Sequence, residues 1–252
     1  TTPGEGAFPY DHGTNTTVTA APDDSYHFVA WTGTAVDAGK VGDAGSASTT
    51  VTIDADYTLQ ANFTVDLRTL TVSSTAGGVV STPGEGAFQY DHGTNTTVTA
   101  AADDNYHFVA WTGTAVDTGK VADAGSASTT VTIDADYTLQ ANFALDQKTL
   151  TISSTAGGSV TTPGEGAYPY DHGSSAAVQA TAQPNYHFVT WTGTAADAGK
   201  VGDAGSASTT VTMDVDYTLQ ANFAIDQKTL TTSSTAGGSV TTPGEGAYPY
   251  DH

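Results

Sequence analysis

The chain has no cysteine among its 252 residues. A disulfide framework, a thiol nucleophile and a thiolate metal site are therefore excluded, and stability has to come from packing. Basic residues are also scarce, with 6 lysines and arginines against 27 acidic residues and a formal net charge of −21. Such a surface repels phosphate backbones and anionic lipid headgroups. We therefore expect no nucleic-acid partner.

The sequence also lacks long apolar runs. No stretch is apolar enough to cross a membrane or to form the core of a signal peptide, so we expect no membrane insertion. The first residue is threonine instead of methionine. We expect either that a leader has been removed or that the chain is a piece of something longer. Thr, Ser, Ala, Gly and Asp dominate the surface-type positions, which is common in secreted bacterial and archaeal proteins.

Repetition is the dominant feature of the chain. The run Thr-Pro-Gly-Glu-Gly-Ala begins at residues 2, 82, 162 and 242, and tryptophan stands at residues 31, 111 and 191, so the period is 80 residues. A repeat of that length can form a small core of its own. We predict a partial repeat without its first hairpin at 1–68, full repeats at 69–148 and 149–228, and the start of a further repeat at 229–252.

Alternating apolar and polar residues with many β-branched side chains predict an all-β fold. In the second repeat we predict about six strands, with residues 70–72 and 79–82 paired as a hairpin around a glycine turn. Strand 106–111 has aromatic residues on both faces, which predicts a central strand covered on each side. Loop 113–128 is long for an ordered loop and is therefore a candidate for function. The joint at 146–148 is short, which predicts small, stiffly connected domains arranged as a rod.

Four motifs recur in a fixed order. In the third repeat they are Leu-Thr-Ile-Ser-Ser-Thr-Ala-Gly-Gly-Ser-Val from residue 150, Tyr-His-Phe-Val-Thr-Trp-Thr-Gly from 186, Thr-Thr-Val-Thr-Met-Asp from 209 and Tyr-Thr-Leu-Gln-Ala-Asn-Phe from 217. This set resembles the divergent internalin-type B-repeat, related to the Listeria–Bacteroides repeat of secreted and surface proteins of bacteria and some archaea. The resemblance covers essentially the whole chain. It implies a β-grasp-like or small sandwich module that serves as stalk, spacer or adhesive unit, with no catalytic residues to carry over.

Pairs of carboxylates raise the question of calcium. Aspartates two residues apart share one face of an extended segment, and calcium takes about six to eight oxygen ligands, which loops supply readily. The alternative is that these aspartates are solvated turn residues. The candidate ligands are Asp54, Asp56, Asp134, Asp136, Asp214 and Asp216, with Asp37 and Asp43 of the long loop as a second set. No other cofactor is predicted.

Other polar residues also allow two interpretations. Each repeat has two histidines without a second histidine at ligand spacing, which favours a structural role. A Lys–Asn crosslink between Lys40 and Asn62 needs a buried, uncharged lysine, and a glycine-flanked loop lysine does not meet that need. Asn15 and Asn95 begin glycosylation sequons. The three tryptophans could form a row for carbohydrate stacking, but each is most simply a core residue of its own repeat.

The partial repeats predict how copies meet. Residues 1–68 lack two strands that residues 229–252 contain, and an incomplete β-domain has an edge that a neighbour's strand can complete. Head-to-tail contacts that do not close produce open fibres. We therefore predict a non-enzymatic structural protein of an extracellular filament or cell-surface stalk, whose partner is itself, as a homopolymer or a continuous array. The alternative is a surface adhesin or carbohydrate-binding repeat module that contacts glycans or other cell-surface molecules.

Overall fold

The computed structural model describes residues 3–251; residues 1, 2 and 252 of the predicted terminal segments lie outside the described part. The chain divides into two compact units. The first extends to Asp104 and includes Phe108–Ala144, and the second contains Asn105–His107 and the chain from Leu145 onward. Each unit is described by itself.

The strands and short helices follow the 80-residue period. The first repeat contains β1 Thr14–Thr19, β2 Tyr26–Thr32, α1 Thr34–Asp37, β3 Ser48–Ile53 and β4 Gln60–Val65. The second contains β5 Leu67–Ser74, β6 Gly78–Thr82, β7 Gly86–Asp91, β8 Thr94–Ala102, β9 Tyr106–Thr112, α2 Thr114–Asp117, β10 Ser128–Ile133 and β11 Tyr137–Leu145.

The third repeat and the residues after it continue the same series. The third repeat contains β12 Gln147–Ser154, β13 Gly158–Thr162, β14 Gly166–Asp171, β15 Ser174–Ala182, β16 Tyr186–Thr192, α3 Thr194–Asp197, β17 Ser208–Met213 and β18 Tyr217–Ile225, and β19 Gln227–Thr232 and β20 Gly246–Asp251 follow it. A full repeat thus has seven strands, one more than predicted.

Each full repeat is a sandwich of two sheets. In the second repeat a three-stranded sheet has the order β10-β8-β6 and a four-stranded sheet the order β7-β5-β11-β9; the third repeat has the same arrangement. The first and last strands of a repeat lie side by side in the middle of the four-stranded sheet and run parallel, with Leu70 beside Tyr137 and Leu150 beside Tyr217. The predicted all-β repeats are confirmed, and the architecture observed is the small sandwich.

The core of each full repeat lies between its two sheets. Side chains on a strand alternate between two faces, so β8 buries Val98 and Ala100 on one face, whereas Thr97 and Ala101 on the other face are exposed. Trp111 is 1% exposed, and its equivalent in the first repeat, Trp31, is 6% exposed. The tryptophans are therefore core residues and do not form a stacking row for sugars.

The predicted hairpin between residues 70–72 and 79–82 is wrong, although both segments are strands. Strand β5 lies in the four-stranded sheet, whereas β6 pairs with β8 in the other sheet. The chain crosses between the sheets at Gly77, where φ is +100°, and Gly78. A Cβ at Gly78 would lie 2.5 Å from the Phe143 ring and 2.6 Å from the carbonyl oxygen of Ala101. A Gly-Gly pair allows a change of sheet as well as a hairpin turn, so this sequence signal does not distinguish between the two.

Strand β9 and its equivalents are edge strands, so the prediction of a central strand is wrong. In the third repeat the register of β16 slips between Phe188 and Thr190, which marks a β-bulge. The bulge brings Phe188 and Trp191 onto one face, with ring centroids 5.5 Å apart. The extra residue, Val189, is 46% exposed. Without the bulge, the same aromatic residues would occupy both faces.

Candidate functional site

The first repeat contains an open groove of about 900 Å³. Its lining combines core side chains of β1–β4 with residues 3–10. From residue 3 onward, the strands of this repeat form two two-stranded sheets, β1-β3 and β2-β4. The described residues of this repeat begin after the positions equivalent to β5 and β6, so the groove lies where a full repeat has those two strands.

Exposure of the groove side chains shows what the two strands contribute. Leu139 and Ile133 are 1% and 0% exposed in the second repeat, whereas their equivalents Leu59 and Ile53 are only partly buried. Residues 57–59 are not a strand in the first repeat, although their equivalents belong to β11. Partial exposure of this apolar surface is unfavourable in water, because burial stabilises by about 25 cal/mol per Å².

In a full repeat this position is filled by side chains of the first two strands. Leu70, Val72 and Val80 are 0%, 2% and 4% exposed in the second repeat. Their equivalents in the third repeat, Leu150, Ile152 and Val160, are buried to the same degree. The groove therefore corresponds to the position that the first two strands occupy in a full repeat.

One residue joins the first repeat to the second. Asp66 lies between β4 and β5. Its backbone N–H donates to the carbonyl oxygen of Ser25, and its own carbonyl oxygen accepts from the N–H of His92, both at 2.8 Å. Its side-chain oxygens lie 2.9 Å from Nδ1 of His27 and 3.4 Å from a guanidinium nitrogen of Arg68. Asp66 therefore has hydrogen-bond partners in both of the repeats that it joins.

The same joint recurs once per repeat. The N–H groups of Asp146 and Asp226 donate to Asn105 and Asn185 at 2.8 and 2.7 Å. Their carboxylates lie 3.1 and 2.9 Å from the histidine at the start of the neighbouring strand, His107 and His187. These imidazoles are hydrogen-bonded to aspartate, which is the structural role that the sequence favours.

A lysine, an aspartate and a tyrosine form a second recurring cluster. In the first repeat Nζ of Lys40 lies 2.5 Å from Asp54, whose other oxygen accepts a 2.7 Å hydrogen bond from the hydroxyl of Tyr57. The hydrogen bond from Lys40 lowers the pKa of Asp54, and the carboxylate in turn raises the pKa of Lys40. The lysine is thus held in its charged form. Asn62 does not contact it, because its amide donates to Ala30 and Thr32, so the geometry does not support a Lys–Asn crosslink.

Acid is expected to weaken this cluster, most clearly in the third repeat. The hydrogen bond from Lys200, and then that from Tyr217, lower the pKa of Asp214 from 3.8 to about 2. A depressed carboxylate pKa stabilises the fold above the unfolded value and loses that contribution as pH falls through the folded value. The thermal midpoint of Asp214→Asn should lie below that of the parent at neutral pH, and the gap should close between about pH 4 and pH 2.

Circular dichroism melts at several pH values would measure this gap. The matched control is Asp197→Asn, which changes an exposed aspartate at the end of α3 and should shift the midpoint little at any pH. Because the pKa of Lys200 is raised, the ion pair should also lose its contribution to stability when the lysine is deprotonated, but only above about pH 10.5. A gap that stayed constant down to pH 2 would contradict the assignment of the stabilising charge to Asp214.

The paired aspartates proposed as calcium ligands have separate partners. In the second repeat Asp134 binds Nζ of Lys120, whereas Asp136 accepts a 2.8 Å hydrogen bond from the backbone N–H of Thr69. The third repeat has the same two arrangements. Between residues 3 and 251 the structure contains no group of three or more histidine or carboxylate side chains placed to hold a metal ion.

The long loop is ordered by its own contacts with the core. The indole N–H of Trp111 donates to the carbonyl oxygen of Ser126 at 2.9 Å, and Ala124 packs against the hydrophobic cluster. In the first repeat Asp43 accepts from the N–H of Gly45 at 2.8 Å, while Asp37 is exposed at the end of α1. The loop therefore closes the core of its repeat, which accounts for its length without a ligand.

Both predicted sequons lie on exposed parts of strands. Asn15 and Asn95 are exposed, and each side-chain oxygen accepts a 2.6 Å hydrogen bond from the hydroxyl of Thr52 or Thr132. These bonds leave the amide nitrogen, to which a glycan would attach, free of that contact. Glycosylation at the two positions stays a prediction.

The sequence analysis located the joint at 146–148 but missed its aspartate–histidine contact, and it also missed the partner of the lysine. Lys40 was considered, but Asp54 lies 14 residues further along the chain, and Asp66 lies 39 residues after His27. The available signal was recurrence, since each pair keeps its spacing in all three repeats. Charged residues that recur at a constant separation in a protein with so few basic residues are candidates for contact.

The comparisons with known proteins fit this geometry. A family model described as the divergent InlB B-repeat domain matches residues 2–66, 68–147 and 148–227. Domains of this kind are typical of surface proteins and provide structure, and no catalytic domain is found. No curated protein matches the chain. In the described residues 3–251, no helix is both long and apolar enough to cross a membrane.

Proposed function

The chain belongs to the divergent InlB B-repeat domain family, and we propose that it is a structural segment of an extracellular filament or cell-surface stalk. Repeats continue head to tail, by covalent linkage or by strand complementation between residues 229–252 and the first repeat of another copy. The family supports this proposal because its domains are typical of surface proteins. The high negative charge keeps a long array of this kind soluble.

The observation that carries the proposal is the parallel pairing of first and last strands. In the second repeat β5 and β11 are neighbours and point the same way. A chain that enters along β5 and leaves along β11 therefore enters and leaves at opposite ends of the sandwich. Repeats joined in this way extend the chain, whereas antiparallel terminal strands would return it to the same end. Extension by a constant step is what a stalk requires.

The joint adds stiffness to this arrangement. A flexible linker needs several residues without fixed contacts, whereas Asp66 alone separates β4 from β5 and has four polar partners. Rotation between the first two repeats would break these hydrogen bonds. The joint therefore favours a fixed orientation of the first repeat relative to the second over a flexible connection.

The tryptophans and the long loop, which an adhesin could use to contact a ligand, contribute to the core of the repeats. The tryptophans are buried, and the long loop packs Ala124 and Ala127 against the core of the second repeat. The stalk function is therefore the one that the geometry supports best.

Mechanical unfolding tests the stalk. Two strands that are pulled at opposite ends of a parallel pair are loaded in shear, so all their hydrogen bonds resist together. With handles attached through Gln147→Cys and Gln227→Cys, the third repeat should unfold in one step at high force. The unfolded segment should span about 26 nm, because 80 residues extend at about 3.3 Å each, and the measured gain is this length minus the distance between the handles in the folded repeat.

The same repeat provides the control. Handles at Pro184→Cys and Gln227→Cys pull the antiparallel strands β16 and β18 apart from one end, so their hydrogen bonds break one after another. This direction should need a several-fold lower force. The chain has no native cysteine, so each handle attaches at one position only. Equal forces in the two directions would contradict a load-bearing role.

A further inference from the structure

We propose that strand β7 of the second repeat pairs side by side with β7 of a second copy of this chain, antiparallel and centred on Gln89. The inference goes beyond the proposed function, because it concerns the lateral pairing of chains instead of their head-to-tail continuation. Within residues 3–251, β7 has β5 on one side and no strand on the other. The pairing therefore joins the four-stranded sheets of two complete repeats into one continuous sheet.

A proline distinguishes the copies of this strand. The second repeat has Phe-Gln-Tyr at residues 88–90, whereas the other three copies of this run have proline in the middle, at Pro9, Pro169 and Pro249. Proline has no backbone N–H, so a strand cannot donate a hydrogen bond at that position. Proline on an edge strand is one of the means by which proteins prevent pairing with other molecules. Gln89 removes this protection from the second repeat.

The backbone of Gln89 points out of the sheet. Thr69 lies opposite Gln89 in the β5–β7 pair, but its N–H donates to the carboxylate of Asp136 at 2.8 Å instead of to β7. The backbone groups of two opposed residues in an antiparallel pair point either toward each other or away from each other. The N–H and C=O of Gln89 therefore point toward the free edge. Pro169 lies opposite Thr149 in the same way, so the third repeat keeps its sheet without an N–H at this position.

The other edges of the repeat are less suited to a further strand. The outer edge of β10 is partly covered, because Val131 forms a bridge with Val121 of the long loop. The register of β6 is irregular between Val80 and Thr82, and the third-repeat equivalent of β9 has the bulge at Val189. Bulges and covering segments prevent edge-to-edge pairing. The register of β7 on β5 is regular along its whole length, so β7 is the edge most open to pairing.

The sequence of β7 is complementary to itself. With Gln89 opposite Gln89 of the other copy, the two residues exchange both of their backbone hydrogen bonds. Each side-chain amide contains a donor and an acceptor, so the two amides also satisfy each other. In this register Phe88 lies opposite Tyr90 of the other copy, and both rings are only partly buried against their own core. Cross-strand aromatic pairs stabilise a sheet. This symmetry favours a second copy of the chain over an unrelated strand.

The charge of the chain does not prevent pairing at this edge. Asp91 is the one charged residue of β7, and in this register it lies opposite Ala87 instead of another carboxylate. The two Asp91 residues lie about 14 Å apart, since the rise along a strand is about 3.4 Å per residue. The Debye length is about 8 Å at 0.15 M ionic strength, so their repulsion is largely screened. Because the paired strands have only six residues each, we expect a weak dimer with a dissociation constant on the order of 0.1–1 mM.

Sedimentation equilibrium in 0.15 M salt tests the pairing. With rising concentration the parent should move from 25.5 kDa toward twice that mass. Gln89→Pro should weaken dimerisation at least roughly tenfold, because both central hydrogen bonds are lost. Its melting temperature should match that of the parent, since Pro169 has the equivalent place in a folded repeat. Gln89→Thr keeps the N–H and should retain most of the association. A parent that stays monomeric throughout the millimolar range, or equal effects of the two variants, overturns the proposal.

The reverse substitution should create a second pairing edge. Pro169→Gln supplies the missing N–H in β14, so each chain then has two edges that can pair. Association should strengthen at least roughly tenfold, through dimers held at two places or through larger assemblies. The matched control is Pro184→Gln, which changes a proline in the turn before β16 and should leave association as in the parent. Unchanged association in Pro169→Gln would show that proline is not what blocks this edge.

A covalent trap reads the register directly. Gln89→Cys places two thiols opposite each other with their Cα atoms about 5.5 Å apart, which is within the range of a disulfide. Mild oxidation should therefore give a covalent dimer on a non-reducing gel, and the chain has no native cysteine that could interfere. Ala87→Cys changes an exposed residue on the same face of the strand, but its two copies would lie about 14 Å apart and should link poorly. Equal crosslinking of the two variants would contradict pairing centred on Gln89.

Discussion

Replacing Trp111 with alanine is expected to lower the free energy of unfolding of the second repeat by about 3–5 kcal/mol. The side chain is 1% exposed, lies 5.5 Å from the ring of Phe108 and holds the long loop through its bond to Ser126. Alanine would leave a cavity and free the loop from this contact. Because small domains are stable by only about 5–15 kcal/mol, the second repeat would be close to unfolding.

Hydrogen exchange measured by mass spectrometry would locate this loss. Amides of β10 and β11 should exchange much faster in the variant, while those of β17 and β18 in the third repeat keep their protection. The control is Val109→Ala, two residues away and 51% exposed, which should change stability by about 0.5 kcal/mol or less. Slow exchange of the β10 amides in the Trp111→Ala variant would contradict the role of Trp111 in the core.

Gly113→Ala is expected to have the second largest effect. Gly113 has φ +118° and ψ 178°, a conformation that is essentially restricted to glycine and costs other residues about 1–3 kcal/mol. A Cβ there would also lie 2.5 Å from the carbonyl oxygen of Thr138, so β9 and β11 would have to move apart. We expect a total loss above about 3 kcal/mol, from the strain together with the displaced backbone.

Gly119→Ala is the matched control for this substitution. Gly119 also has a positive φ, +70°, but nothing lies within 4 Å of an added Cβ. Its cost should be limited to the left-handed backbone, about 1–2 kcal/mol. Chemical denaturation of both variants, monitored by circular dichroism, would separate the cost of the backbone conformation from the cost of the close approach to Thr138. Equal losses would show that the close approach to Thr138 does not matter.

Much of the fold is predictable from the sequence because the relevant signals are local. The two-residue alternation placed β8, β10 and β11, and the single tryptophan of each repeat was identified as a core residue. Both follow from the side-chain period of a strand and from the size of the indole. The four ordered motifs also indicated the family resemblance, which the family match at residues 2–66, 68–147 and 148–227 confirms.

The rest depends on contacts between distant residues or on a single extra residue. Whether β6 pairs with β5 or with β8 is decided across the core, and the glycines at 77 and 78 allow either outcome. The bulge at Val189 adds one residue and changes which face Trp191 occupies, although its sequence resembles an ordinary strand. At the groove, the sequence indicated an incomplete edge, but only the partial exposure of Leu59 shows its apolar surface.

The parallel pairing of first and last strands also determines when a repeat can finish folding. Thr69 and Asp136, which bond across this pair, are 67 residues apart, so β5 waits for its neighbour until almost the whole repeat has left the ribosome. Contacts of such long range make folding slow. In the same way a nascent β12, which waits for β18, is free to pair with β11 if the second repeat has not closed, because β11 and β18 are nearly identical. Production of long arrays therefore depends on each repeat closing before the next one emerges.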